Sequence, residues 1–138
     1  MSYTVNKLAK IAHVSVRTLH YYDEIGLLKP SSVQSNGYRM YEEHELLLLQ
    51  QILFFRELDF PIEEIKRILS SPTFDMGRAL RDHRILLELN KKRLSGLLKT
   101  IDTTLQKMEK QTSMDDQDLK ELYDTFGEDT IKKYADEV

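Results

Sequence analysis

Residues 15–28 read SVRTLHYYDEIGLL, and this stretch decides how the first part of the chain folds. Ser15 is a favourable N-cap, and Gly26 favours a helix end because glycine adopts positive φ without steric cost. Pro30 then prevents any continuation of the helix. The stretch therefore predicts a helix that either packs its aromatic side chains into a core or offers one face to a partner.

A turn of about 100° per residue divides this helix into two faces. One face is apolar and aromatic, and it gathers Leu19, Tyr22 and Ile25. The opposite face gathers Arg17, His20, Tyr21 and Glu24. The angles assign Tyr22 to a core and Tyr21 to the exposed side. Arginine near the start of such a helix can bind a guanine edge or a phosphate, although a lone surface arginine is more often simply solvated.

A shorter helix is predicted just before it, because apolar residues recur at helical spacing at Val5, Leu8, Ala9 and Ala12. Thr4 or Asn6 is available as its N-cap. This helix ends near His13, only two residues before the next one begins. Two short helices joined by so tight a turn predict a helix-turn-helix, whose second helix can lie in the major groove of DNA.

A hairpin is predicted after the second helix, because Asn36-Gly37 between extended segments is the strongest short-range hairpin signal. A hairpin directly after a helix-turn-helix is a wing. Residues 42–58 and 62–69 then predict two more helices, separated by Asp59-Phe60-Pro61.

A single long helix is predicted over residues 75–110, which contain no proline. Apolar residues recur every seven positions at Leu80, Leu87, Leu94, Ile101 and Met108, with Leu98 and Leu105 at complementary positions. Such a helix cannot bury its own apolar stripe, so the pattern predicts a coiled-coil homodimer. Arg84 and Lys91 interrupt the earlier half of the seam, and a helix folded back on its own domain is the alternative.

The net charge of −3 conceals an uneven distribution of charge along the chain. Residues 1–41 carry five Lys and Arg against two acidic residues, whereas residues 113–138 carry three against nine. The first segment can bind phosphate although the net charge of the chain is negative, because the local electrostatic field at the binding face determines whether an anion is attracted.

Several classes of function are disfavoured by composition. The chain has no cysteine, which excludes disulfides and thiolate metal sites, and its four histidines lack metal-site spacing. We find no glycine-rich phosphate loop and no Ser-His-Asp arrangement, so we expect no enzyme and no cofactor. The absence of a signal peptide and of a long apolar run leads us to expect a cytoplasmic protein without membrane contact.

Three blocks of sequence together resemble the MerR-type winged-helix transcription regulators over residues 3 to about 70. They are VSVRTLHYYDEIGLLKP, NGYRMY and LDFPIEEIKRIL. Within that family the chain looks most like the multidrug-responsive Mta and TipA group. The resemblance implies a mainly α fold, with a winged helix-turn-helix domain over residues 1–73 and a dimerisation helix over residues 75–110.

The resemblance also implies a homodimer held by an antiparallel coiled coil and bound to double-stranded promoter DNA. The implied activator bends and untwists an over-long promoter spacer so that RNA polymerase engages both promoter elements. The DNA-binding residues that it implies are Ser15, Arg17, Thr18, His20 and Tyr21 at the recognition helix, Tyr38 and Arg39 on the first wing, and Lys66 and Arg67 on the second. The dimerisation residues are Leu80, Leu87, Leu94, Leu98, Ile101, Leu105 and Met108.

Two departures from the family pattern bear on function. Asp59 stands where the family usually has glycine, and aspartate tolerates the left-handed conformation that the turn requires. Residues 111–138 resemble only the start of an effector-binding domain, so we expect a drug-like effector only for a longer form. This acidic tail could form one or two short helices around Leu119, Leu122, Tyr123 and Ile131. A repressor, or a dimeric coiled-coil interaction module without DNA activity, is the alternative function.

Overall fold

Helices make up most of the computed structural model, which describes residues 1–110, 113–127 and 130–137. Three short strands form its sheet. The chain divides into two units, Met1–Leu86 and Leu87–Val138, and the division falls within the long helix.

The helix-turn-helix consists of α1, Val5–Ala12, and α2, Val16–Glu24. The side chain of Thr4 caps α1 by accepting from the backbone N–H of Lys7 at 3.2 Å. Ser15 caps α2 by accepting from the backbone N–H of Thr18 at 2.9 Å. Both caps are as predicted. Between the helices His13 adopts a left-handed φ of 58°, which makes the turn tight enough to bring them together.

The wing belongs to a three-stranded antiparallel sheet in which β3, Arg39–Tyr41, is the central strand. It pairs with β2, Ser32–Val33, which confirms the predicted hairpin. It also pairs with β1, Tyr3–Thr4, a strand that we did not predict because two residues give no readable alternation. The wing is thereby fastened to the N-terminus of α1.

Two helices complete the first unit, α3 at Glu43–Glu57 and α4 at Ile62–Ser70. Asp59 lies between them with φ of 62°, so it adopts the left-handed conformation expected of it. The core of this unit is formed by buried apolar residues from α1, α2 and the loop after it, β3, α3 and α4: Val5, Leu8, Ala9, Leu19, Tyr22, Leu27, Leu28, Tyr41, Leu49, Ile52, Phe55 and Ile65.

The long helix α5 runs from Met76 to Glu109, one residue inside the predicted 75–110 at each end. The mainly α fold, with a winged helix-turn-helix followed by a long helix, is therefore confirmed. That this helix forms a coiled coil stays a prediction, as do the domain boundaries at residues 73 and 110.

The second unit adds α6, Asp116–Asp124, and α7, Thr130–Lys133, followed by a 3₁₀ turn at Ala135–Glu137. Asp115 and Asp118 form a capping box at the start of α6, which explains why an acidic segment begins a helix there. The predicted tail also included Gln111, Thr112, Glu128, Asp129 and Val138, which lie outside the described residues.

The helix α6 packs against α5 through small side chains. Thr125 shares a hydroxyl hydrogen bond with Thr100, and its methyl group would lie 3.3 Å from a Cβ on Gly96. Lys107 and Asp118 form an ion pair at 3.4 Å. One side of α5 is therefore covered by its own chain within this unit.

Two kinds of site are not found among residues 1–110, 113–127 and 130–137. No helix there is long and apolar enough to cross a membrane. No group of three or more His, Cys, Asp and Glu side chains there is placed to hold a metal ion.

Candidate nucleic-acid interface

The helix α2 buries one face and exposes the other, as the helical angles predicted. Leu19 has none of its surface exposed and Tyr22 has 4%, so both belong to the core. Tyr21 is 47% exposed and Arg17 is exposed, whereas Thr18 and His20 are half-buried beside them. A polar face with a guanidinium, an imidazole and a phenol hydroxyl can contact both base edges and phosphates.

The start of α2 is fixed by Ser15 and Thr18. The Oγ of Ser15 accepts from the backbone N–H of Thr18 and lies 2.8 Å from the Oγ1 of the same residue. Ser15, one of the predicted DNA contacts, therefore uses its side chain as a helix cap. The hydroxyl pair also sets the orientation of the first turn, in which Arg17 lies.

The wing tip is a turn closed by three hydrogen bonds. The N–H of Gly37 donates to the carbonyl of Gln34 at 2.9 Å, and the N–H of Gln34 donates to the carbonyl of Tyr38 at 2.8 Å. The side chain of Asn36 accepts from the N–H of Tyr38 at 3.1 Å. Gly37 has φ of 86°, which a residue with a side chain rarely adopts. The turn leaves Tyr38 57% exposed beside the tip.

Arg39 ties the wing to the recognition helix. Its Nε donates to the Oδ2 of Asp23, in the last turn of α2, at 2.7 Å. The pKa of Arg39 is raised, first by this hydrogen bond and then by the charge of Asp23, against the opposing effect of desolvation. We predicted Arg39 as a wing contact to DNA, and the structure shows in addition that its Nε orients β3 against α2.

Two further cations lie at the same end of α2. The Nζ of Lys29 is 3.7 Å from the Oδ1 of Asp23. The Cε and Nζ of Lys66, on α4, lie 3.5 and 3.6 Å from where a Cβ on Gly26 would stand. The carbonyl end of a helix attracts cations, so both positions are electrostatically favourable. Arg67 follows on α4 and is exposed.

Basic residues from three segments thus meet at the C-terminal end of α2: Lys29 from the loop after it, Arg39 from the wing and Lys66 from α4. We define them as the basic cluster. Sequence reasoning named Arg39 and Lys66 but missed Lys29 and the role of Asp23. The only sequence signal for Asp23 was its helical angle, which places it beside the buried face of α2. An unpaired carboxylate there would be costly, so the angle indicates that Asp23 has a partner but not which residue it is.

Behind this cluster Tyr41 lies fully buried in the central strand. Burial raises the pKa of its hydroxyl, and the charge of Asp23 raises it further while that of Arg39 lowers it. The hydroxyl has no hydrogen-bond partner among the described residues. Tyr41 is therefore kept in its uncharged form, and its ring belongs to the hydrophobic core.

Comparison with known proteins identifies the family and the relatives of this chain. Residues 3–72 match the family model described as MerR HTH family regulatory protein. The HTH-type transcriptional regulator SkgA of Caulobacter vibrioides is 47% identical, over 97% of this chain and 58% of SkgA. The HTH-type transcriptional activators mta of Bacillus subtilis and TipA of Streptomyces coelicolor are 39% and 40% identical over the whole of this chain. The chain spans little more than half the length of these relatives, 57% of mta and 53% of TipA.

Solved structures give the same picture of the fold. The crystal structure of SkgA from Caulobacter crescentus superposes with a TM-score of 0.87 at 42% identity, covering 99% of this chain and 96% of that one. The N-terminal part of the Bacillus subtilis multidrug transporter activator Mta gives 0.53 at 47% identity, covering 75% and 97%. A cryo-EM structure of an EcmrR–DNA complex in EcmrR-RPo gives 0.50 at 29% identity, covering 80% and 41%.

Proposed function

Because the chain belongs to the MerR HTH family of regulatory proteins, we propose that it binds double-stranded promoter DNA and regulates transcription. The observation that carries this proposal is the division of α2, which is fully buried at Leu19 and exposed at Arg17 and Tyr21. A helix held this firmly on one side can present the other to the major groove.

The proposed contacts fall into three groups. Arg17, Thr18, His20 and Tyr21 read or touch the major groove, and Ser15 positions them as the cap. Tyr38 and the remaining nitrogens of Arg39 contact the flanking backbone at the wing. Lys66 and Arg67 contact phosphates from α4. Lys29 joins them, since the basic cluster concentrates positive charge where a phosphate would pass.

We propose further that the protein acts as a homodimer through the apolar stripe of α5. The stripe comprises Leu80, Leu87, Leu94, Leu98, Ile101, Leu105 and Met108. Their exposed fractions run from 40% at Leu80 and Leu87 to 65% at Met108. Water contact over so continuous an apolar surface is unfavourable, and a second copy in antiparallel orientation would remove it.

Activation is the regulatory outcome we propose, because two of the relatives are named transcriptional activators. The dimer would bend and untwist an over-long spacer, at a cost on the order of several kcal/mol, and so let RNA polymerase engage both promoter elements. The EcmrR-RPo structure supports RNA polymerase as a partner. Binding of an effector, such as a drug-like molecule, is proposed only for a longer form of the protein.

The test measures duplex binding by Arg17→Ala and Arg39→Ala variants. We expect each to lower affinity for promoter DNA about tenfold and to reduce the salt slope of binding by about one. The exposed Arg93 on α5 provides a matched control, and Arg93→Ala should bind like the wild type. The duplex is the DNA upstream of the protein's own gene, and footprinting on it defines the spacer.

The outcome distinguishes the proposal from its alternative. Wild-type affinity in both Arg17→Ala and Arg39→Ala would refute the contacts assigned to α2 and the wing. If the wild-type protein bound no duplex at any salt concentration while remaining dimeric, the protein would be an interaction module instead. A footprint over a spacer of ordinary length would favour repression.

A further inference from the structure

Asp23 is an acidic residue that lies among the proposed phosphate contacts, in the last turn of α2. Its side chain is 19% exposed, and its two oxygens face different cations. The Oδ2 accepts from the Nε of Arg39 at 2.7 Å, and the Oδ1 lies 3.7 Å from the Nζ of Lys29. A carboxylate repels phosphate, so Asp23 would weaken DNA binding at this position unless it also contributes to it.

Arg39 reaches Asp23 from the inner face of the wing. It lies two residues before Tyr41 on β3, so the two side chains leave the same face of the sheet, and Tyr41 is fully buried. The side chain of Arg39 is itself only 30% exposed. Its stem is therefore partly enclosed, and the hydrogen bond to Asp23 fixes the direction of the guanidinium.

This hydrogen bond engages one of the three guanidinium nitrogens of Arg39. Nη1 and Nη2 have no hydrogen-bond partner within residues 1–110, 113–127 and 130–137. A guanidinium is planar and rigid, so fixing Nε also fixes the plane in which the two terminal nitrogens lie. Two such nitrogens match the spacing of two phosphate oxygens, which a guanidinium can bind with two parallel hydrogen bonds.

We propose that Asp23 is a positioning residue for DNA binding. It holds Arg39 so that Nη1 and Nη2 together bind one phosphate of the DNA backbone, and it keeps the ammonium group of Lys29 near that phosphate. Ordering a flexible side chain in advance lowers the entropic cost of binding, which offsets the repulsion between Asp23 and the phosphate. The inference rests on the proposed function, because it concerns a part of the same DNA-binding site.

The test compares duplex binding by Asp23→Asn with duplex binding by the matched control Glu24→Gln. Each variant removes one negative charge from the same turn of α2. The charge of Glu24 also raises the pKa of Arg39, although less than the hydrogen bond and the charge of Asp23 do. Glu24 is exposed, and its carboxylate has no hydrogen bond or ion pair among the described residues.

The two variants should change affinity in opposite directions. If Asp23 acted only through its charge, both variants would bind the duplex more tightly, because each removes a repulsion. We expect Glu24→Gln to bind at least as tightly as the wild type. Asp23→Asn should bind at least about threefold more weakly, because Arg39 is no longer ordered before it meets the phosphate.

Variants of Arg39 show whether Asp23 acts through it. In the Arg39→Ala protein the carboxylate has no guanidinium to hold, so adding Asp23→Asn should leave the affinity unchanged or raise it. A merely structural role of Asp23 would weaken binding in both backgrounds. Arg39→Lys keeps the positive charge but not the pair of terminal nitrogens, so it should bind at least about fivefold more weakly than the wild type.

Circular dichroism and light scattering on the same samples should give wild-type helix content and mass for Asp23→Asn. If that variant does not fold, Arg39→Lys decides, since it leaves Asp23 in place. Unchanged or tighter binding by Asp23→Asn, an equal loss in the wild-type and Arg39→Ala backgrounds, or wild-type affinity of Arg39→Lys would overturn the inference. Absence of duplex binding by the wild type would refute the proposed function as well. Weak binding by Arg17→Ala together with wild-type binding by Asp23→Asn would refute this inference alone.

Discussion

His83 has almost no exposed surface, and burial lowers the pKa of its imidazole because it disfavours the charged form. In the unfolded chain the imidazole regains its ordinary pKa of about 6.5. The unfolded state therefore takes up this proton first as the pH falls. The contribution of neutral His83 to stability is fully present above that ordinary pKa and is lost as pH falls through it toward the folded value.

We predict that His83→Phe makes the stability of the protein less sensitive to acid. The free energy of unfolding, measured with urea at about pH 7.5 and pH 5.5, should fall less in the variant than in the wild type. One group can contribute at most about 1.4 kcal/mol per pH unit to the difference. The exposed His44 stays hydrated in both states, so His44→Phe is the control and should retain the wild-type dependence. A His83→Phe slope equal to that of the wild type would contradict the assignment.

The two faces of α2 could be predicted for each residue, because helical periodicity determines on which side of the helix each side chain lies. Tyr21 and Tyr22, which are adjacent in sequence, differ in exposure as 47% against 4%. Periodicity does not predict which side chains from different elements come into contact. The pairing of Asp23 with Arg39 joins residues 16 apart, and the approach of Lys66 to Gly26 joins two elements far apart in the chain. Such contacts follow from the tertiary packing and had no local signal.

The helix α6 shows how a segment of weak sequence signal acquires structure. Its polar residues cannot form a core alone, and it gains order by packing on α5. Helical angles place Gly96, Thr100 and Lys107 about 200–240° from Leu94 around α5. The contact made by Gly96, Thr100 and Lys107 therefore lies opposite the centre of the apolar stripe. Ile101 and Leu105 of the stripe line a groove together with Leu119, Leu122 and Tyr123, so α6 borders the C-terminal part of the stripe. The sequence predicted α5 closely, because heptads persist over its length. In the acidic tail it indicated that a short helix could form around Leu119, Leu122 and Tyr123, but not that this helix packs on α5.

We predict that Gly96→Leu detaches α6 from α5. A Cβ there would lie 3.3 Å from the methyl group of Thr125, closer than ordinary van der Waals contact, and a leucine side chain adds three more carbon atoms at this close approach. Hydrogen exchange at the amides of Asp116–Asp124 should become at least about tenfold faster, since local opening would no longer be opposed by packing. The helical content of α5 should not decrease, because leucine is a better helix former than glycine.

Gly77→Leu makes the same change in the first turn of the same helix and serves as the control. A Cβ at Gly77 meets only the ends of the Arg81 and Asp75 side chains, at 3.5 Å. Exchange at α6 should therefore be unchanged in this variant. Unaltered protection of α6 in Gly96→Leu would mean that α6 does not depend on the close approach at Gly96.

The apolar stripe of α5 is exposed along its whole length. Its members lie within about 80° of arc around the helix, so they form one continuous strip and not scattered surface leucines. Heptad spacing made the strip readable from sequence. The sequence alone could not show what covers this strip. Packing against a second copy and packing against the chain's own domain both require the same apolar pattern. Exposed fractions of 40–65% along the strip favour the second copy.

We predict that Leu94→Asp combined with Leu98→Asp makes the protein monomeric in light scattering. Two carboxylates at the centre of the seam would have to be buried beside apolar side chains, which is strongly unfavourable. The matched control is Ser95→Asp combined with Gln106→Asp. It adds the same two charges at exposed positions of α5, about 100–120° from Leu94 and away from both the stripe and α6.

The two double variants also separate dimerisation from DNA binding. A monomer contacts one half-site, so its salt slope of binding should be about half that of the wild type, and its affinity should fall accordingly. The control should keep both the dimer mass and the wild-type slope. If Leu94→Asp with Leu98→Asp remained dimeric, the stripe would not be the dimer interface. If it became monomeric but bound the duplex with wild-type affinity, each subunit would act alone, and distortion of a spacer between two recognition helices would be ruled out.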